Sequence, residues 1–137
     1  MNAIDTNIWL YAYDARDPLK QSKAQELMAK LEPLVLLWQV GCEFVAAARK
    51  LEPFGFVQEQ AWDALARMQA AVDAVLLPDS DMWPVARDLQ NRFSLHFWDA
   101  LIVAGCLRGG VKTLYSEDFT HALDIDGLQI VNPFLSL

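Results

Sequence analysis

Four carboxylates occupy positions in the chain where a solvated carboxylate is hard to build. Asp5 stands between Ile4 and the Thr6-Asn7-Ile8-Trp9 run, where an Asp could also cap a following helix. Glu43 has Val40 three residues before it and Ala46 and Ala47 three and four residues after it. A helix there presents its carboxylate on a small, apolar face. Asp99 follows Phe97-Trp98 and opens Ala100-Leu101-Ile102-Val103-Ala104, a segment apolar on every side and therefore buried if helical. Capping that helix and ligating a cation are compatible roles for it. Asp118, with Glu117 beside it, follows an apolar stretch that ends at Tyr115-Ser116. Other acids, such as Asp14, Asp17, Glu26, Glu59, Asp63, Asp88, Asp124 and Asp126, fall in polar loops or on solvated helix faces and need no special account.

Burying one unpaired carboxylate is costly, and gathering several raises their pKa values because like charges resist ionising together. A compensating positive charge is required. Few bases lie near these positions in sequence; Arg49 and Lys50 come about two helical turns beyond Glu43. A hard divalent cation, Mg²⁺ or Mn²⁺, suits such oxygen donors and typically retains waters and a substrate phosphate. His96 and His121 are too few and too far apart for a zinc triad, and Cys42 and Cys106 form no CxxC pair. Both cysteines lie among apolar neighbours, where packing is the expected role.

These side chains need elements to hold them. A short apolar start predicts a strand ending at Asp5, then a short helix. Lys20 to Leu31 places Ala24, Leu27, Met28 and Leu31 at spacings of three and four, an amphipathic helix stopped by Pro33. Leu34 to Trp38 reads as a buried strand, Gln39 to Leu51 as a helix ended by Pro53, and Val57 to Val72 as another helix. Ala74 to Leu77 is a third strand. Pro78-Asp79-Ser80-Asp81 supplies a turn and an N-cap for a helix over Met82 to Phe93. Ala100 to Arg108 is a helix ended by Gly109-Gly110, followed by strands at Thr113 to Ser116 and Gln129 to Val131. Strands alternating with helices imply a mainly parallel sheet covered on both faces, with ligands bound beyond the carboxyl ends of the strands near a switch in strand order. Asp5 and Glu117-Asp118 each follow a strand directly, so parallel pairing places them on one edge.

The pattern resembles a known family. Asp5-Thr6-Asn7 after the first strand, Glu43 in a later helix, Trp98-Asp99-Ala100-Leu101-Ile102 opening a buried helix and Ser116-Glu117-Asp118-Phe119 after a strand together resemble the PIN domain. The closing Gly127-Leu128-Gln129-Ile130-Val131-Asn132-Pro133-Phe134 is similar to the C-terminus common in VapC-type toxins of bacterial type II toxin-antitoxin modules. The resemblance spans residues 1–137 as one domain. It implies an α/β, three-layer PIN-like fold with a five-stranded, mainly parallel sheet flanked by helices. It also implies a Mg²⁺-dependent endoribonuclease, with Mn²⁺ as a substitute, that acts on RNA, forms a homodimer and is held inactive by a cognate antitoxin. By position, Asp5, Glu43 and Asp99 match the acidic triad and Asp118 the more variable fourth acid, with Glu117 as its alternate. Asn7 and Ser116 match polar residues that orient the acids. In that reading Asp5 and Asp99 hold the metal, while Glu43 and Asp118 position water or a second ion.

Composition bounds the alternatives. A chain of 137 residues, 54% hydrophobic, can bury a core without disulfide staples, and two cysteines among apolar neighbours suggest a reducing, cytoplasmic setting. No apolar run reaches the length of a membrane span, and the start lacks the pattern of a secretory leader. The net charge of −7 argues against nucleic acid, because phosphate backbones demand Lys and Arg, although assigning four acids to a metal site weakens that objection. Arg16, Lys20, Lys23 and Lys30 form the one basic run expected near the N-terminal edge of the site. A phosphatase of the haloacid dehalogenase class would want an Asp where Asn7 stands, and a two-component receiver domain would want a late Lys that Lys112 supplies poorly. Two other readings compete: an RNA-processing nuclease outside a toxin module, and a non-catalytic interaction module of the same fold. Most of the tryptophans are expected in the core, with Trp98 as the candidate for base stacking or an antitoxin contact.

Overall fold

A computed structural model describes residues 1–137. Strand β1 (Asn2–Ile4) passes through Asp5 straight into α1 (Thr6–Tyr11). Helix α2 (Pro18–Lys30) opens with the Asp17 carboxylate accepting the Lys20 amide and with Pro18 in the first turn, where a missing N–H costs no hydrogen bond. Strand β2 (Leu34–Leu37) is buried at every position, the pattern of a strand covered on both faces, and α3 (Trp38–Ala47) begins at the next residue.

The helix expected to run on to Leu51 instead passes into a 3₁₀ segment, Ala48–Phe54. In a continuing α-helix the Pro53 ring would meet the Arg49 carbonyl and offer no N–H. The backbone therefore tightens and stops at Gly55, whose φ of +96° suits glycine. Helix α4 (Gln58–Ala71) buries Ala61, Ala64 and Met68 along one face. After β3 (Ala74–Leu76), α5 (Met82–Phe93) buries Met82, Ala86 and Leu89, again one helical stripe. Helix α6 (Phe97–Arg108) starts three residues earlier than its apolar run suggests, because His96, not Asp99, occupies the cap position. Asp99 sits inside the first turn. Strands β4 (Thr113–Tyr115), β5 (Asp124–Ile125) and β6 (Leu128–Val131) complete the chain.

The sheet has six strands in the order β3-β2-β1-β4-β6-β5, not the expected five. Every pairing is parallel except β5 with β6, which fold back on each other through Asp126 and Gly127, both with positive φ as a tight hairpin requires. Two residues are too few to show an alternating pattern, which is why β5 leaves no sequence signal. Chain order steps outward in one direction from β1 to β2 to β3 and then returns across the sheet to β4. Right-handed crossovers therefore put α1 to α4 on one face and α5 and α6 on the other, consistent with the packing of α1 on α2 and α3, α3 on α4, and α5 on α6.

The core includes Ile4, Ile8, Trp9, Phe44, Val103 and Leu114. Trp9 is the one buried tryptophan, and its indole N–H donates to the Ile4 carbonyl at 3.1 Å. Trp38, Trp62, Trp83 and Trp98 are all more than half exposed, against the expectation that most would be core. Cys106 is buried but Cys42 is exposed. No helix is long and apolar enough to cross a membrane.

Candidate active site

Strand order reverses beside β1, so β1 and β4 diverge into connections on opposite faces and leave a crevice beyond their carboxyl ends. The two strand ends are held together by the Asp5 amide, which donates to the Tyr115 carbonyl at 2.9 Å. Asp5 itself is almost fully buried, at 3% exposure. Its Oδ1 accepts the Thr6 amide at 2.7 Å, as an N-cap does, and its Oδ2 accepts the Ser116 hydroxyl at 2.8 Å. Thus one carboxylate is fixed by the first residue of α1 and by the residue after β4.

Glu43 reaches the same place from the second turn of α3. The Thr6 hydroxyl donates to its Oε1 at 2.8 Å. The Gln39 amide nitrogen, one turn earlier on α3, donates to Oε2 at 3.4 Å and also to the Trp98 carbonyl at 3.0 Å. That single side chain ties α3 to the first turn of α6, which carries Asp99. Asn7 donates to Asp118 Oδ2 at 3.2 Å, and the Asp118 amide donates to Ser116 Oγ at 3.1 Å. Asp5, Glu43, Asp99 and Asp118 consequently line one open cleft, together with Thr6, Asn7 and Lys50.

Glu117 turns elsewhere. Its carboxylate accepts the Tyr11 hydroxyl and, at 2.9 Å, the Lys20 ammonium. The Lys20 ammonium also lies 4.7 Å from the Tyr11 ring centre and 5.1 Å from that of Phe134. The basic run expected at this edge is likewise committed: Arg16 pairs with Asp14, Lys20 with Glu117, and Lys23 and Lys30 with Glu26. Neither histidine lines the cleft: His96 occupies the cap position of α6, close enough to Asp99 to favour its charged form, and His121 accepts the Asn132 amide.

Burial dominates the electrostatics. It pushes the Asp5 pKa up to about 6, against the pull of the Ser116 and Thr6 hydrogen bonds and with further upward pressure from the charges of Asp118 and Glu43. Asp99 is also raised, first by burial and then by the Asp118 charge, with His96 pulling the other way and Glu43 adding a smaller push upward. Asp118 is raised by burial and by Glu117, and Asn7 partly relieves it. The group is thus short of positive charge, and every donor in it is a hard oxygen. No three His, Cys, Asp or Glu side chains stand close enough together to hold a metal ion between them. An ion placed here would have one or two protein carboxylates and waters as its ligands, a set that Mg²⁺ accepts.

Three residues of this cleft are not singled out by the sequence. Thr6 lies inside the Asp5-Thr6-Asn7 motif and Gln39 stands one helical turn before Glu43, so spacing alone could have proposed both. Lys50 stands seven residues after Glu43, two turns along the face that also carries Ala46 and Ala47, so helical spacing could have proposed it as well.

The PIN domain family model matches residues 3–122. None of the curated proteins matches the chain. Among solved structures, the chain is similar to VapC20 of Mycobacterium tuberculosis, described as a sarcin-ricin loop cleaving toxin. The identity is 22% and the TM-score 0.68, over 86% of this chain and 90% of that one. It is also similar to VapBC2 of Rickettsia felis, solved bound to a DNA fragment from its promoter. There the identity is 15% and the TM-score 0.66, over 94% of this chain and 96% of that one. At these identities the likeness is one of fold.

Proposed function

The chain belongs to the PIN domain family, and from that premise we propose that it is a Mg²⁺-dependent endoribonuclease, the toxin of a type II toxin-antitoxin pair. The observation that carries this reading is the convergence of Asp5, Glu43, Asp99 and Asp118 on one cleft at the switch point of the sheet. The likeness in fold to VapC20 and VapBC2 supports the toxin assignment and an antitoxin as partner, and a toxin of this kind would act in the cytoplasm. A homodimer follows from the same family reading.

The oxygen donors fit Mg²⁺ or Mn²⁺: Asp5 and Asp99 would hold the ion, and Glu43 and Asp118 would position water or a second ion. When bound, the cation supplies charge neutralisation at the phosphoryl oxygen and a more acidic water. The remaining work belongs to the chain. Ser116 and Thr6 fix both oxygens of Asp5, Thr6 and Gln39 fix those of Glu43, and Asn7 fixes Asp118, so the carboxylates need no reorganisation as charge develops on the phosphate. A carboxylate oxygen of Glu43 or Asp118 then accepts the proton from the attacking water.

Purified protein should cleave RNA only with Mg²⁺ or Mn²⁺ present, and Asp5→Asn or Asp99→Asn should lower the rate by about a hundredfold or more with unchanged circular dichroism. Full activity in either variant sinks the site assignment. The toxin role is tested by expressing the chain without the gene beside it. Growth arrest that Asp99→Asn abolishes and a small upstream partner relieves is the expected result, whereas cleavage without arrest moves the chain to an RNA-processing role.

A further inference from the structure

We propose that Lys50 is the residue that grips the RNA backbone at this cleft, its ammonium donating to the non-bridging oxygens of a phosphodiester. The inference rests on the nuclease reading above and deepens it by naming how a polyanion is held at an acidic site. Four carboxylates line the cleft and repel phosphate, and a single divalent cation leaves the set still negative. A protein-borne cation is needed at the rim. Lys50 is the one basic side chain that lines the cleft.

Its place and its freedom together distinguish it: Arg49, Arg67, Arg87 and Lys112 are also outside every ion pair but do not line the cleft. The bases expected at this edge are each paired with a carboxylate, Arg16 at 2.9 Å, Lys20 at 2.9 Å, Lys23 at 3.9 Å and Lys30 at 3.7 Å. Lys50 is exposed and takes no part in any ion pair of the molecule. Lys50 shares the cleft lining with Asp5, Asp99 and Asp118 but pairs with none of them, so it does not serve to neutralise them. An ammonium left free at the rim is instead available to an incoming anion. Lysine also suits this role, since a compact charge on a flexible stem can follow a phosphate into place, whereas a guanidinium would favour a bidentate lock on one of the acids. The contact is to the backbone, so it contributes affinity without reading bases.

The test uses a fluorescein-labelled, mixed-sequence, single-stranded RNA oligonucleotide. Cleavage is followed in Mg²⁺ for the native chain and for Lys50→Gln, Lys50→Arg and Lys112→Gln. Binding is followed across a salt titration with each substitution placed on Asp5→Asn. Lys50→Gln should raise KM and Kd about tenfold, change kcat less than about threefold and reduce the slope of log Kd against log salt by about 1. Lys50→Arg keeps the charge and should recover only part of the loss, because its guanidinium can lock onto one of the acids. Lys112→Gln, before β4 and so at the opposite edge of the sheet, should change nothing. KM, Kd and salt slope unaltered in Lys50→Gln overturn the proposal, as does a fall in kcat with KM unchanged. A native chain that neither binds nor cleaves the RNA overturns the nuclease reading itself, and the role of Lys50 with it.

Discussion

Glu117 and Asp118 are neighbours of nearly identical chemistry in opposite surroundings. Glu117 is held by Lys20 and Tyr11 on the α2 side of the loop, whereas Asp118 faces the cleft across from Asn7. Two substitutions separate their duties. Glu117→Gln leaves a half-buried Lys20 without its counter-ion, so a loss of about 1 to 2 kcal/mol in urea unfolding is expected, with the cleavage rate within about threefold. Asp118→Asn should keep the fold and reduce cleavage by about tenfold or more. Reversed outcomes would make Glu117 the working acid. The acids themselves are legible in sequence because a carboxylate flanked by Val40 and Ala46, or by Trp98 and Ala100, needs a reason to be there. Which of two adjacent acids turns inward depends on Lys20 and Tyr11, far away in the chain, and no local pattern carries that. Thr6 and Gln39 are ordinary polar residues until the fold places Glu43 between them.

Among the elements, α6 is apolar all round and α5 is amphipathic, so α5 serves as the cover that makes the burial of α6 possible. Leu89 is fully buried at the centre of that cover. Leu89→Ala should therefore cost about 2 to 5 kcal/mol, read as a lower urea midpoint with an unchanged slope. A loss under about 1 kcal/mol would mean that α5 packs on α6 more loosely than its burial indicates. The helices and the five parallel strands are legible because period and breaker residues mark them. The 3₁₀ segment, the start of α6 at Phe97 and the β5 hairpin are not. Each is decided by a clash, a cap or a two-residue pairing rather than by a repeating pattern.

The charge of the whole molecule is concentrated where it is least comfortable. For Asp5 the native pKa near 6 lies above the ordinary value of 3.8, so between about pH 4 and pH 6 the folded state holds a proton that the unfolded chain has released. Stability without metal therefore falls as pH rises through that window. Asp99 and Asp118 are shifted in the same direction and add to the fall. Chemical unfolding in a chelator should show a loss of about 1 to 2 kcal/mol from Asp5 alone between pH 5 and pH 8. Asp5→Asn should flatten the profile, and millimolar Mg²⁺ should restore stability at the alkaline end. A native profile that rises over the same range would contradict the burial of Asp5. The bond from Ser116 to Asp5 joins residues 111 positions apart, and its consequence concerns time. A chain leaving the ribosome presents Asp5, Glu43 and then Asp99 without the strand that seats them, and pairings of such long range form late. The cleft cannot close until β4 has emerged and docked beside β1. A nuclease of the kind proposed would thus stay inert while its first strands and helices are being made and become armed only once β4 and Ser116 are in place.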